Sequence, residues 1–358
     1  MELKKTLIFL LYLLFFSCSE DESQHPSDGN TEMEFISAVD ISSFPEIELT
    51  SPVFKDSSGN IISFLNHLES KGINTIRLRL WVNPIDQHSG FNEVKSFSEI
   101  LKSMGFKIYL SLHYSDTWAD PGKQITPAAW ESFSFSELKN AVYEYTRMVV
   151  QEISPDIIQI GNEINNGFLH PLGNIHNEPS NFKELINECI RAVRDYSLNQ
   201  LHVMLHYAGH EGSEIFFDSV KDVDYDIIGL SYYPIWHGKS IDNLEQGIIQ
   251  LRSLYNKDIM IAETAYPFTL GWNDWTNNIV GLEEHLILPN YPASPYGQKE
   301  FIQRLKTLIS NTDGGIGLSY WGAELIAWDG EESNEGSVWE NQALFDFNNQ
   351  ALPVLDVF

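Results

Sequence analysis

From residue 34 onward the chain repeats one pattern, a short apolar run of strand length followed by a longer run with helical spacing. The strand-like runs are 35–41, 73–81, 106–113, 156–162, 202–207, 225–232, 258–263 and 315–321. Between them, 61–71, 94–104, 136–153, 181–196, 214–220, 242–255 and 298–309 carry apolar residues at helical intervals. Gly105 is placed to end the helix at 94–104, and Ser136 to cap the start of 136–153. Strands and helices alternating in this order imply a parallel sheet with crossover helices. Eight strands are enough to close a single (β/α)8 barrel, and 358 residues suit one such domain. The stretches without regular pattern follow the third, fourth, seventh and eighth strands, where this fold builds its working face.

The strands that end in acid carry the chemistry. The fourth reads Gln159-Ile160-Gly161-Asn162-Glu163, and the seventh Ile261-Ala262-Glu263-Thr264. In a closed barrel these two strands face each other. Opposed carboxylates across a sugar ring are what glycoside hydrolysis requires: one protonates the leaving oxygen and the other attacks the anomeric carbon, at a separation of about 5–5.5 Å in retaining enzymes. Asn162, beside the acid, suits a sugar 2-hydroxyl. Arg79, a charge inside an apolar strand, is expected to pair with Glu263 and keep it ionised, the alternative being a structural ion pair elsewhere. Tyr232 is expected to donate to the same carboxylate, or else to fill the core. His113, at the end of the third strand, suits a sugar hydroxyl or a satisfied core position. Trp81, Trp118 and Trp236 are candidate platforms for sugar rings and equally candidates for packing. His202, His206 and His210 are spaced by four, but on a strand that spacing spreads the rings by about 13 Å per interval, which disfavours a metal site.

Composition narrows the ligand. A formal charge of −28 argues against nucleic acid, an anionic membrane surface or a polyanionic substrate, and leaves a neutral polysaccharide unpenalised. The 13% aromatic content, with nine Trp, favours a carbohydrate ligand weakly, since aromatics also fill cores.

Several segments together resemble glycoside hydrolase family 53, the arabinogalactan endo-β-1,4-galactanases. They are Val39-Asp40-Ile41-Ser42-Ser43, Arg77-Leu78-Arg79-Leu80-Trp81-Val82-Asn83-Pro84, the long run from His113 to Gln124, Asn162-Glu163, Ser231-Tyr232-Tyr233-Pro234, Glu263-Thr264-Ala265-Tyr266-Pro267 and Asn341-Gln342-Ala343-Leu344-Phe345-Asp346. The resemblance implies cleavage of β-1,4-galactan, a neutral pectin side chain, with Glu163 as acid/base and Glu263 as nucleophile. It also implies that Trp321 is the platform under the cleaved sugar and that Asp120 belongs to the substrate site. It implies no organic cofactor. It suggests a Ca²⁺ between the seventh and eighth loops, through a D-x-D-x-H-x-N run and later Ser and Asp positions. Here that run lacks its first Asp and its His; Asp274 and Asn278 remain, with Ser337 and Glu340 at the later positions. These are hard oxygen ligands suited to calcium; the alternative is a loop held by Trp272 and Trp275. Two other functions compete: a non-catalytic surface glycan-binding protein, and a related barrel glycosidase acting on mannan or glucan.

Residues 1–33 stand apart. Lys4 and Lys5 precede an apolar run at 7–16, too short to anchor in a bilayer as a span, and Ser17-Cys18 follows. This resembles a bacterial lipobox, so 1–17 is expected to be a lipoprotein signal peptide and Cys18 the lipidated first mature residue. Acidic residues at 20–22 resemble the surface-export signal of Bacteroides-type lipoproteins, and 18–33 reads as a flexible acidic tether. The expected location is the outer membrane at the cell surface, held only by the lipid, with a monomeric barrel over 34–358. Cys189, the other cysteine, cannot form an intrachain disulfide with Cys18 committed and reads as a buried small hydrophobe.

Overall fold

The computed structural model describes residues 34–358; the expected signal peptide, Cys18 and tether lie outside the described residues. Eight strands close into a parallel barrel in sequence order: β1 (Ile36–Asp40), β2 (Thr75–Leu80), β3 (Lys107–Leu112), β4 (Ile157–Ile160), β5 (His202–Ala208), β6 (Ile227–Ser231), β7 (Asp258–Thr264) and β8 (Gly315–Tyr320). β8 pairs back onto β1 and completes the ring. The fold is the (β/α)8 barrel that the alternation predicts. The connecting helices include Phe91–Ser103, Phe135–Ile153, Pro179–Tyr196, Ile241–Tyr255 and Pro295–Asn311.

One helix start differs from expectation. Ser134, not Ser136, caps Phe135–Ile153. Its hydroxyl accepts the Glu137 amide, and the Glu137 carboxylate accepts the Ser134 amide at 2.8 Å. Serine followed three residues later by Glu is the reciprocal capping box; Ser136 sits inside the first turn. Gly105 takes a φ of +96° beyond the end of Phe91–Ser103, where a side chain would be strained. Cys189 is buried in Pro179–Tyr196. The helices Phe44–Glu48 and Pro234–His237 are too short to show a period in sequence.

Side chains alternate across each strand. In β2 this sends Ile76, Leu78 and Leu80 into the apolar layer shared with the helices, while Arg77 and Arg79 face the barrel interior. That interior is polar at mid-height: Gln159 donates to Ser111 Oγ at 2.8 Å, and the Tyr109 hydroxyl donates to Gln159. β6 and β7 slip out of register near the upper rim: Leu230 pairs with Ile261 but Ser231 with Glu263, so Ala262 is an extra residue. Such a bulge re-aims the side chain that follows it, and here Glu263 turns into the same space as Ser231.

The long loops lie at the strand C-termini, at 113–134, 161–178, 265–294 and 321–358. The last two are pinned together. The Ile279 amide donates to Val338 O at 3.0 Å, the Trp275 amide to Ser333 O at 3.0 Å, and Asn341 Nδ2 to Val280 O at 2.7 Å.

Candidate active site

A cavity of about 400 Å³ opens above the strand ends, lined by Glu163, Glu263, Arg77, His113, Asn162, Asp120, Tyr233 and four tryptophans. A larger hollow of about 650 Å³ on the outer helices, around Glu214, Asp218 and Lys221, holds no comparable set of groups.

Glu263 is held from both sides. Arg77 Nη2 donates to its Oε1 at 2.5 Å, and the Tyr233 hydroxyl to its Oε2 at 3.1 Å. Arg77 is only 1% exposed and also pairs with Asp40 at 2.5 Å and with Asn162 Oδ1 at 3.0 Å. These contacts correct two expectations. Arg79 does not reach Glu263: it donates to Ser89 Oγ at 2.7 Å and Ser43 Oγ at 3.1 Å, and its guanidinium lies 4.2 Å from the Trp118 ring centre. Both arginines face inward, two residues apart on β2, but Arg77 is the deeper and meets Glu263. Tyr232 points the other way, stacking on Phe301 with its hydroxyl on Gly238 O at 3.0 Å. Ser231 faces inward, so alternation sends Tyr232 outward and brings Tyr233 in.

Glu163 stands on the opposite side. The backbone reaches it through Gly161 at φ +72°, where an added Cβ would lie 2.4 Å from Ile164 Cγ2, and Glu163 itself takes φ +46°. Ser231 Oγ donates to Glu163 Oε1 at 2.5 Å, and His206 Nε2 lies 2.9 Å behind that hydroxyl.

The electrostatics divide the two carboxyls. Burial, then repulsion from Glu263, pushes Glu163 up to about 8, against the pull of Ser231 and Arg77. Burial raises Glu263 as well, and repulsion from Asp40 adds to it; the charge of Arg77 and the hydrogen bonds from Tyr233 and Arg77 offset only part of that rise. Of the pair, Glu163 is the group pushed up far enough to hold a proton at neutral pH, as an acid must, while Glu263 is the one with a guanidinium and a hydroxyl donating directly to it.

The other expected residues gather around them. His113 Nδ1 accepts from Trp81 Nε1 and from the Ala119 amide, both at 3.3 Å, which assigns the ring proton to Nε2 as a donor. Burial keeps that ring neutral. Asn162 Nδ2 donates to Ala119 O at 2.8 Å and retains a second hydrogen. Asp120, in the loop after β3, lines the cavity with its Oδ1 on the Gly122 amide. Trp321 lines the cavity and packs against Trp118, at 6.0 Å between ring centres, and Trp339, at 4.7 Å. Trp118 and Trp236 are 40% and 55% exposed, leaving faces free for stacking, whereas Trp81 is buried. Arg77, Tyr233, Ser231 and Trp339 are not singled out by the sequence, and His206 figures there only as a disfavoured metal ligand. Alternation along β6 could have separated Tyr233 from Tyr232.

The calcium candidates form a smaller group between the pinned loops. Asp274 Oδ2, Asn278 Oδ1 and Glu340 Oε2 are buried without hydrogen-bond partners. Asn278 Nδ2 and the Asn273 amide both approach Glu340 Oε1, at 3.4 and 2.7 Å, and Asp274 adds repulsion to Glu340. Ser337 Oγ is committed to Leu325 O at 2.8 Å and the Trp339 amide at 3.2 Å. Among the described residues no cluster of three His, Cys, Asp or Glu forms a metal site, so the group rests on two carboxylates and an amide oxygen. Orphaned buried oxygens of hard donors fit a calcium ion.

Comparison with known proteins agrees with this fold. The model of glycosyl hydrolase family 53 matches residues 36–358. An arabinogalactan endo-β-1,4-galactanase of Cellvibrio japonicus is 35% identical, over 90% of both chains. An endo-β-1,4-galactanase of Bacillus subtilis is 30% identical over 100% of this chain and 97% of its own. Among solved structures, the family 53 catalytic domain of Ignisphaera aggregans superposes with a TM-score of 0.85 at 37% identity, covering 90% of this chain and 95% of that one. With its fold matched and residues 36–358 covered by the family model, the chain belongs to glycosyl hydrolase family 53.

Proposed function

We propose that the chain is an endo-acting hydrolase of β-1,4-galactan that works by double displacement with retention. Glu263 attacks the anomeric carbon. Glu163 protonates the departing glycosidic oxygen and then takes a proton from the water that releases the glycosyl-enzyme. The observation that carries this reading is the different surroundings of the two carboxyls: Arg77 and Tyr233 donate directly to Glu263, which favours its anion, while Glu163 has only the Ser231 hydroxyl and burial favours its protonated form. The names of the Cellvibrio and Bacillus relatives support galactan as the substrate. The exposed faces of Trp118 and Trp236 support binding within a chain rather than at its end. His113, Asn162, Asp120 and Trp321 are assigned to the sugar bound at the cleavage point.

The test is NMR of the first-formed product on galactan, with mannan and glucan as controls. Initial β-anomer on galactan supports retention; initial α-anomer refutes it, and preference for mannan or glucan refutes the substrate. Glu163→Gln should lower turnover of galactan by about 10²–10⁴-fold. Unaltered turnover in that variant would remove Glu163 from the mechanism and leave a binding protein or another acid to consider.

Two further properties belong to the same reading. Asp274, Asn278 and Glu340 hold a structural calcium that ties the seventh loop to the eighth, with Ser337 closing the group from its hydrogen-bonded position. A lipid on Cys18 tethers the barrel to the outer membrane.

A further inference from the structure

We propose that Ser231 and His206 are positioning residues for Glu163: they hold Oε1 as the oxygen that never carries the proton, leaving Oε2 to deliver it and to take it back. The proposal rests on the reading of Glu163 as acid/base.

The argument starts from the ring of His206. Its Nδ1 has two neighbours, Asn162 Oδ1 at 3.2 Å and the Glu163 amide at 3.4 Å. Asn162 Oδ1 already accepts from Arg77 at 3.0 Å and from Gln159 at 2.9 Å, which uses both its lone pairs. Nδ1 therefore accepts the Glu163 N–H, and the ring proton lies on Nε2. Burial and the nearby Arg77 keep the ring neutral, so a single proton decides its polarity. Nε2–H then donates to Ser231 Oγ, 2.9 Å away, and the serine has one direction left for its own hydrogen, toward Glu163 Oε1 at 2.5 Å. The chain of donors begins at the backbone of Glu163 and ends on its side chain.

A hydrogen bond to one carboxyl oxygen fixes where the proton goes on the other. In the first step the Oε2–H proton passes to the glycosidic oxygen as its bond to the anomeric carbon breaks and Glu263 forms a bond there. In the second, water attacks that carbon, the bond to Glu263 breaks, and the water proton passes to Oε2. Oε1 accepts from Ser231 throughout. The charged and titratable groups facing Glu163 are Glu263 from β7, Arg77 from β2, Asp120 from the loop after β3, and Tyr233 beyond β6. Ser231 belongs with Arg77 among those that favour the anion, so its loss raises the pH at which Glu163 titrates.

The test compares Ser231→Ala, His206→Phe, the double variant and Ser231→Thr by their pH profiles of kcat/KM on galactan and on an aryl galactoside with an activated leaving group. The alkaline limb, which reports the acid, should move up by about one pH unit in Ser231→Ala. His206→Phe should reproduce the move, the double variant should add nothing, and Ser231→Thr should restore it. Activity on galactan should fall about tenfold at the optimum, and much less on the activated substrate, which needs little protonation. An alkaline limb that stays in place in both single variants, or two shifts that add, overturns the relay. If Ser231→Ala does not fold, His206→Phe and Ser231→Thr decide it. Glu163→Ala with azide separates this from the reading beneath it: formation of the glycosyl azide upholds Glu163 as acid/base whatever Ser231 does, and no rescue removes that role and the relay with it.

Discussion

Arg77→Met should separate the nucleophile from its surroundings. Arg77 is 1% exposed and lies 2.5 Å from both Asp40 and Glu263. Methionine fills much of the stem's volume without the charge. Removing one partner of a buried ion pair costs about 3–5 kcal/mol, because the remaining charge is left uncompensated. If about 3 kcal/mol of that falls on the ionised form of Glu263, its titration moves up by about two pH units. The sign follows from the contact: Arg77 favours the anion, so its loss raises the pH at which the nucleophile ionises, and the acid limb of kcat/KM shifts upward. The remaining donor to Glu263 is Tyr233, and the rate at the optimum should fall by at least about 10²-fold. Arg79→Met is the control. It loses the stack under Trp118 and the bonds to Ser89 and Ser43, so it should raise KM and leave the acid limb where it is. The assay is the pH profile of kcat/KM on an activated aryl galactoside, with thermal melts to show that each variant is folded and Arg77→Lys as an intermediate that keeps the charge. An unshifted acid limb in a folded Arg77→Met, or a shifted one in Arg79→Met alone, would refute the assignment of Arg77.

Three other outcomes follow from features away from the catalytic pair. Chelation of calcium should lower the melting temperature by about 5 °C if the ion is bound well above its Kd, and Asp274→Ala should abolish the difference; identical melts with and without calcium would favour a loop held by Trp272 and Trp275. Glu324 is buried, accepts the Ser43 amide at 2.8 Å through Oε1, leaves Oε2 unpartnered, and is pushed up to about 8 by burial and by Asp40. Between pH about 4.5 and 8 the unfolded chain has lost this proton while the folded one keeps it, so stability falls by about 1.4 kcal/mol per pH unit; Glu324→Gln should remove that slope, and parallel melting curves for both proteins from pH 5 to 8 would count against it. Cys18→Ala should release the protein from membranes, and continued partitioning would argue against a lipid anchor.

The barrel was readable because its two periods are strong. Strands buried on both faces and helices of 13 to 19 residues, such as Phe91–Ser103 and Phe135–Ile153, leave patterns that survive without tertiary knowledge. Glu163 and Glu263 were readable as acids ending apolar strands. Arg77 and Tyr233 were not singled out, because each stands beside a residue of the same type, Arg79 and Tyr232, and choosing between them needs the facing of the strand. For β2 even facing does not suffice: both arginines turn inward, and only depth in the barrel distinguishes them. The facing of Glu263 depends on the bulge at Ala262, a break in pairing between strands that neither strand's own sequence displays. Trp339 lies in the long irregular loop at 321–358, where no period says which of several tryptophans returns to the cleft.

The left-handed backbone at Glu163 has a consequence for how such a chain would decay. A non-glycine residue at φ +46° costs about 1–2 kcal/mol, and the buried carboxyl adds its own penalty. Replacement by Gly or Asn would relieve the first and abolish the second, so the fold becomes more stable as the acid disappears. A lineage that kept the barrel only to hold glycans would lose Glu163 readily, since mutation there improves folding and meets no opposition. Its presence on a strained, desolvated turn is what the proposed acid/base role would demand and folding alone would not.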